Sequence, residues 1–323
     1  MPDRKIPLLP APASSQLPTS EMRPRRKLLR LVIYSLIATG ITTLMYSAYA
    51  QVFGPPSEPG LNLNSAKRLG YKQLENIPLR YIPREYDTDL KRLVFIGDVH
   101  GMYTELQELL EQINYDKHTD HIVLTGDLVT KGPDSLKVID FGIENGVSCV
   151  RGNQDDRVLL HYLRNKAPSE KQLWVEKALA KKLSKEQAAW LNSCPLILRA
   201  DDVKGLGNVA IVHAGLIHGV PLDQQDPVAI MTMRSVHRRS RVPSSGTTGT
   251  HWARLWNRYE KHERVPLTVI YGHYAARGLD RRPLSQGLDS NCVRGGRLTA
   301  LVASTRTDNP EVFSVHCRKA YSK

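Results

Sequence analysis

Phe95-Ile96-Gly97-Asp98-Val99-His100-Gly101, Leu124-Thr125-Gly126-Asp127-Leu128-Val129-Thr130-Lys131-Gly132-Pro133 and Val150-Arg151-Gly152-Asn153-Gln154-Asp155 are three variations on one pattern. Each is an apolar run that stops at a glycine and then presents a metal-type ligand. The ligands are Asp98 with His100, then Asp127, then Asn153. Asp98 and Asp127 are 29 positions apart, and Asp127 and Asn153 are 26 apart. That distance suits one strand–helix–strand unit.

The residues between the glycines carry the backbone reading. Segments 92–96, 121–125 and 147–150 are short and rich in β-branched residues, as parallel strands buried on both faces are. Segments 102–114 and 134–145 are predicted helices, and the first spaces Leu106, Leu109, Leu110 and Ile113 along one face. Parallel strands bring their C-terminal ends to one edge of a sheet, where ligands bind. Asp98, His100, Asp127 and Asn153 are therefore expected to converge there. Two later apolar runs end in the same way, 209–212 before His213-Ala214-Gly215 and 269–271 before Gly272-His273. The candidate set is then two aspartates, one asparagine and three histidines. Mixed oxygen and imidazole donors suit zinc, manganese, cobalt or iron better than calcium. One shared carboxylate with two ligand sets points to a two-metal hydrolytic centre.

Taken singly, a strand-end aspartate is usually a helix cap, and a lone histidine is usually a hydrogen-bonded or surface residue. The ordered set is more specific. Together with Gly287-Leu288-Asp289-Ser290-Asn291-Cys292-Val293-Arg294-Gly295-Gly296-Arg297-Leu298-Thr299-Ala300, it resembles the calcineurin-like metallophosphoesterases. Within them it looks like the phosphoprotein phosphatase branch, which shares that last block with bacterial diadenosine tetraphosphatases. The resemblance covers about residues 91–304. It implies an α/β fold, a two-sheet β-sandwich flanked by helices, and two divalent ions, zinc first among them. It also implies that Asp98 and His100 hold one metal, that Asp127 bridges, and that Asn153, His213 and His273 hold the second.

The sequence departs from the phosphoprotein phosphatases at an informative place. They carry Gly-Asp-x-Val-Asp-Arg-Gly and Gly-Asn-His-Glu, whose second Asp and His together can protonate a departing serine oxygen. Here those two positions are Thr130 and Gln154, and the arginine is Lys131. A phosphate leaving group, with a second pKa of about 6, does not need that proton. The expected reaction is hydrolysis of phosphoanhydride bonds, first the internal bonds of inorganic polyphosphate and second dinucleoside polyphosphates. A protein serine/threonine phosphatase and a non-catalytic membrane-tethered scaffold are the alternatives. A missing ligand would mark the scaffold, and all six positions are filled.

Residues 1–30 read as a disordered cytosolic tail ending in the basic cluster Arg23, Arg25, Arg26, Lys27 and Arg30. Residues 31–50 then contain no charge over 20 positions, and as a helix they would span about 30 Å, the hydrocarbon thickness. A cleaved signal peptide has a shorter apolar core. The stretch 31–52 is therefore read as a single transmembrane signal anchor, with the N-terminus cytosolic by the positive-inside rule and the catalytic domain lumenal. Residues 53–90 open with Gly-Pro-Pro-Ser-Glu-Pro-Gly and read as a linker and domain-edge segment ahead of the 91–323 domain. The anchor adds a resemblance to fungal vacuolar polyphosphatases, which implies a vacuolar membrane.

Residues 155–190 read as mostly helical and lysine-rich. Residues 231–250, with Arg234, Arg238, Arg239 and Arg241, read as a long polar loop beside the site. A guanidinium suits non-bridging phosphate oxygens bidentately, which makes Arg234 the candidate catalytic arginine beside Asp98, Asp127 and Asn153. The segment from His251 to Trp256 reads as amphipathic packing, and 298–303 and 311–315 as closing strands of a second sheet. The 45 basic and 32 acidic residues leave a formal charge of +13, which suits an anionic substrate. No groove-reading motif or stacking platform supports a nucleic-acid partner. Cys149, Cys194, Cys292 and Cys317 lack metal spacing, and the sequence leaves their pairing open.

Overall fold

The computed structural model describes Tyr34 and residues 71–164, 174–237 and 240–318. The chain divides into two units, Met1–Ser57 and Glu58–Lys323, and the fold and site described below belong to the second. The expected tail, the expected anchor apart from Tyr34, and residues 53–70 of the expected linker lie outside the described residues. Among the described residues no helix is long and apolar enough to cross a membrane.

In chain order the elements begin with β1 (Leu74–Asn76), β2 (Arg92–Ile96), α1 (Tyr103–Gln112), β3 (Asp120–Leu124), α2 (Ser135–Glu144) and β4 (Ser148–Cys149). Three helices follow, α3 (Asn153–Arg164), α4 (Trp174–Ala180) and α5 (Lys185–Ser193), then β5 (Ile197–Val203) and β6 (Gly207–Val212). Next come α6 (Pro227–Thr232), β7 (Ser235–Val236), β8 (Pro243–Ser244), β9 (Thr250–His251), α7 (Trp252–Glu260) and β10 (Leu267–Tyr271). The chain closes with β11 (Asp280–Arg282), β12 (Ser285–Gly287), β13 (Arg297–Ser304) and β14 (Thr307–His316).

Two sheets face each other. One runs β14-β13-β2-β3-β4, the other β1-β5-β6-β10-β12-β11. The strands β2, β3 and β4 are parallel, as are β6, β10 and β12. Alternation along each strand divides the apolar side chains between two cores. Leu93 and Phe95 of β2 meet Val209 and Ile211 of β6 between the sheets. Val94 and Ile96 point the other way, onto Leu106 and Leu109 of α1 and Val138 and Ile139 of α2. On the outer face of the second sheet, Val212 and Tyr271 pack with Trp252 and Trp256 of α7. Both faces are buried, which is why these strands read as unbroken apolar runs.

Two expectations are corrected. Segments 298–303 and 311–315 do not close a second sheet. As β13 and β14 they extend the first, with Ala300 of β13 antiparallel to Ile96 of β2. The chain returns because the segment after β12 crosses directly over Gly97, where an added Cβ would stand 2.4 Å from the Leu288 carbonyl. Residues 231–250 are not a plain loop either, since β8, β7 and β9 form a small antiparallel sheet. The cysteines pair as Cys149–Cys194, tying β4 to the end of α5, and Cys292–Cys317, tying the approach to β13 to the end of β14.

Candidate metal centre

The strand ends of both sheets meet at one place. Across the two sheets His213 Nδ1 lies 2.9 Å from Thr125 O, and His273 N donates to Asp98 Oδ1 at 3.0 Å. Past each strand end the backbone turns abruptly, and three of the six candidate residues adopt left-handed conformations: His100 (φ 48°), Asp127 (φ 51°) and His273 (φ 68°). Such values are uncommon outside glycine, and strain of this kind gathers at functional sites. Close packing requires glycine at two neighbours. A Cβ on Gly152 would lie 2.3 Å from Asp127 Oδ1, and one on Gly272 would lie 1.9 Å from Asp98 Oδ1.

The six side chains converge. Asp98, Asp127 and His213 each offer a donor atom within 4.8 Å of the others, all buried. The two oxygens of Asp127 divide between two histidines: Oδ2 lies 3.5 Å from His100 Nε2 and Oδ1 lies 3.3 Å from His213 Nε2. Asn153 Oδ1 is 3.2 Å from the same His213 nitrogen. The His273 ring stands edge-on to His213 with centroids 5.0 Å apart, and its backbone N–H reaches both oxygens of Asp98 at 3.0 and 3.1 Å.

Backbone carbonyls fix the imidazole tautomers. His213 Nδ1 lies 2.9 Å from Thr125 O and His100 Nδ1 lies 3.3 Å from Val129 O. A carbonyl only accepts, so these nitrogens carry the protons and each Nε2 keeps its lone pair. His273 is held the other way, with Nε2 donating to Thr232 O at 3.0 Å, which leaves Nδ1 as its acceptor. The His213 lone pair therefore faces the Asp127 and Asn153 oxygens, three acceptors drawn together with no donor among them. A cation resolves that conflict, and the donor chemistry fits divalent ions of the zinc, manganese and iron type.

Burial sets the electrostatics. It pushes Asp98 well above the usual carboxylate range, helped by the charges of Asp289 and Asp127. It pushes Asp127 up to about 6 against the opposing charge of Lys131. Burial lowers the imidazoles: His100 falls well below its ordinary value with help from Lys131, His213 falls to about 4, and His273 to about 2. Neutral imidazoles beside crowded carboxylates are the state in which metal ligands bind.

Several residues given no role in the sequence reading support the centre. Asp155 is buried. Its Oδ1 accepts N–H bonds from Leu128 at 2.9 Å and Val129 at 3.3 Å, and its Oδ2 accepts from Gly152 at 2.9 Å. It thus clamps the Asp127 loop to the Asn153 loop, although burial pushes it up to about 7. Asp289 lies buried beside Asp98, raised by burial. Lys131 Nζ donates to His100 Nε2 at 2.9 Å. Gln154 contributes its backbone, whose N–H reaches Asp127 Oδ1 at 2.8 Å. Both Asp155 and Asp289 sit inside the quoted motifs, and that proximity is the signal that was available. Arg234 stands at the rim, where its charge reaches Asp127 and His273.

Comparison with known proteins agrees with this geometry. The family profile described as calcineurin-like phosphoesterase matches residues 91–303. A symmetrical bis(5'-nucleosyl)-tetraphosphatase of Nitrosospira multiformis is 28% identical over 69% of this chain and 94% of its own length. The zinc-dependent endopolyphosphatase of Saccharomyces cerevisiae is also 28% identical, over 67% of this chain and 77% of its own. A crystal structure of a candidate diadenosine tetraphosphatase superposes with a TM-score of 0.63 at 31% identity, covering 77% of this chain and 99% of that one.

Proposed function

The chain belongs to the calcineurin-like phosphoesterases, and on that premise we propose that it hydrolyses phosphoanhydride bonds, with inorganic polyphosphate as the substrate. Asp98, His100 and Asp127 would hold one divalent ion, and Asp127, Asn153, His213 and His273 the other. When bound, such ions supply Lewis acidity toward phosphoryl oxygens and a nucleophilic water at neutral pH.

The observation that carries the substrate reading lies beside Asp127. Thr130 is buried with its hydroxyl unbonded among the described residues, and Gln154 engages Asp127 through its main chain alone. Neither side chain carries an acidic proton for a departing alkoxide. That favours a leaving phosphate, which departs without one. General acid catalysis is worth about 10²–10⁴-fold, so serine phosphoesters are expected to be poor substrates. The chain's own cations do the remaining work. Lys131 faces the charge that develops on the transferred phosphoryl group, Arg234 offers its guanidinium to an adjoining phosphate, and Asp155 keeps the Asp127 and Asn153 loops in register.

The relative named as an endopolyphosphatase supports this reading. A dinucleoside polyphosphate is the second reading. A groove of about 590 Å³ opens at Thr130, with Pro133, Leu136 and Leu179 among its apolar lining and Lys137 and Lys182 beside them. Such walls suit a nucleobase. We further propose that the uncharged stretch 31–50 anchors the protein in a vacuolar membrane, with the catalytic domain on the lumenal side. The two disulfides support an oxidising compartment. The deciding test of substrate is a panel on the purified full chain: long polyphosphate, diadenosine tetraphosphate and phosphoserine peptide at equal metal loading. Long polyphosphate is expected to be cut fastest, and faster hydrolysis of the phosphopeptide refutes the leaving-group argument.

A further inference from the structure

Guanidinium groups stand on two sides of the metal centre. Arg234 follows Thr232, whose carbonyl holds His273, by two residues. Its Nη1 donates to Ser245 O at 2.9 Å, and its guanidinium lies 5.6 Å over the ring of Tyr274, the neighbour of His273. Arg234 is therefore pinned on the His273 flank.

Arg294 occupies the other flank. It ends the short turn Cys292–Arg294, just after Leu288 and Asp289 cross Gly97 beside Asp98, and Asn291 N at the start of the turn donates to Asp289 Oδ1 at 3.0 Å. The turn is rigidly framed. Asn291 and Gly295 on either side are left-handed, Arg294 N donates to Asn291 O at 3.1 Å, and Cys292 is bound to Cys317. The Arg294 side chain is exposed, and no hydrogen bond, ion pair or ring contact engages its guanidinium among the described residues.

We propose that Arg294 and Arg234 bind the phosphate groups on either side of the scissile one, so that the substrate is a chain gripped at an internal bond. This rests on the reading of the substrate as polyphosphate. A substrate presenting only its end needs cations on one side of the reacting phosphorus, whereas a chain passing through the centre needs them on both. Guanidinium binds phosphate oxygens in pairs and remains charged at every working pH. An unpaired Arg294 on a fixed turn gives up no internal bond when a phosphate arrives, so little of its binding is lost to reorganisation.

The test compares Arg294→Gln with Arg306→Gln in the full chain. Arg306 carries the same charge but lies beyond Ser304, which pairs with Arg92 at the opposite end of the sheet. One readout is binding of long polyphosphate to chelator-stripped protein by fluorescence anisotropy across a salt series. The other is the ratio of kcat/KM on long polyphosphate to kcat/KM on tripolyphosphate, with metals loaded. Arg294→Gln is expected to weaken binding about tenfold, as loss of one charge-assisted contact does, and to reduce the salt slope by about one. The selectivity ratio should fall about tenfold as well. Arg234→Gln should produce the same two changes from the other flank, and Arg306→Gln neither. Binding and selectivity of Arg294→Gln equal to those of Arg306→Gln overturn the proposal. If wild-type protein cleaves no polyphosphate of any length, the substrate reading fails, while the binding series still decides the role of Arg294. Early release of mainly orthophosphate from long chains overturns the internal grip.

Discussion

Replacing Gly272 by alanine inserts one methyl group into the tightest contact of the centre. The new Cβ would stand 1.9 Å from Asp98 Oδ1 and 2.9 Å from Thr125 Oγ1. Non-bonded heavy atoms settle at about 3.5 Å, so the carboxylate must retreat by more than ~1 Å. Retreat breaks the two bonds that His273 N–H makes to Asp98, at 3.0 and 3.1 Å. A hydrogen bond to a charged acceptor contributes about 1.5–3 kcal/mol, and overpacking adds about 1–3 kcal/mol. Asp98 is also displaced from the candidate ligand set, which should weaken metal binding about 10–100-fold. The assay is a zinc titration of chelator-stripped full chain by calorimetry, with melting temperature recorded in parallel. Gly246→Ala is the control, since a Cβ there meets only Ser244 Oγ at 3.4 Å. If Gly272→Ala binds zinc with wild-type stoichiometry and affinity, Asp98 is not a ligand and the architecture of the site is misread.

Asp127→Asn should lower metal content and activity together, because the two Asp127 oxygens face different histidines; retention of two metals per chain by elemental analysis would refute the bridging role. His121 is stacked on Tyr81 with centroids 3.9 Å apart, and burial, aided by Arg80, lowers it to about 4. The native state then binds fewer protons than the unfolded chain, whose histidine titrates at about 6.5, so stability is intact above that pH and falls toward pH 4 by at most about 1.4 kcal/mol per unit. His121→Phe keeps the stack and should flatten that slope in urea denaturation of chelator-stripped protein; an unchanged slope excludes His121 as its source. Protease added to sealed vesicles whose outer face is cytosolic should trim the N-terminal tail and spare the domain, and digestion of the domain in intact vesicles would reverse the topology.

The candidate ligand loops were legible because a glycine followed by a donor at a strand end leaves a mark in the sequence, repeated at Gly97-Asp98, Gly126-Asp127, Gly152-Asn153 and Gly272-His273. The strands were legible because burial on two faces makes them continuously apolar. That same continuity hides the partner of each strand. Nothing in Leu298-Thr299-Ala300-Leu301-Val302-Ala303 distinguishes pairing with β2 from pairing in the opposite sheet, and the choice comes from the crossing over Gly97. The small sheet of β7, β8 and β9 was invisible for another reason, since strands of two residues show no period.

Asp155 was hidden by chemistry rather than by length. A carboxylate beside Gln154 reads as a surface residue or a cap, and its work is to accept three main-chain N–H groups from two separate loops. Those bonds arise only once the strands have brought the loops together. The fold therefore does more than deliver six candidate ligands to one edge. It also builds, from residues that look ordinary in sequence, the clamp that holds Asp127 and Asn153 in register, and it leaves Arg294 on its turn free of any internal partner among the described residues.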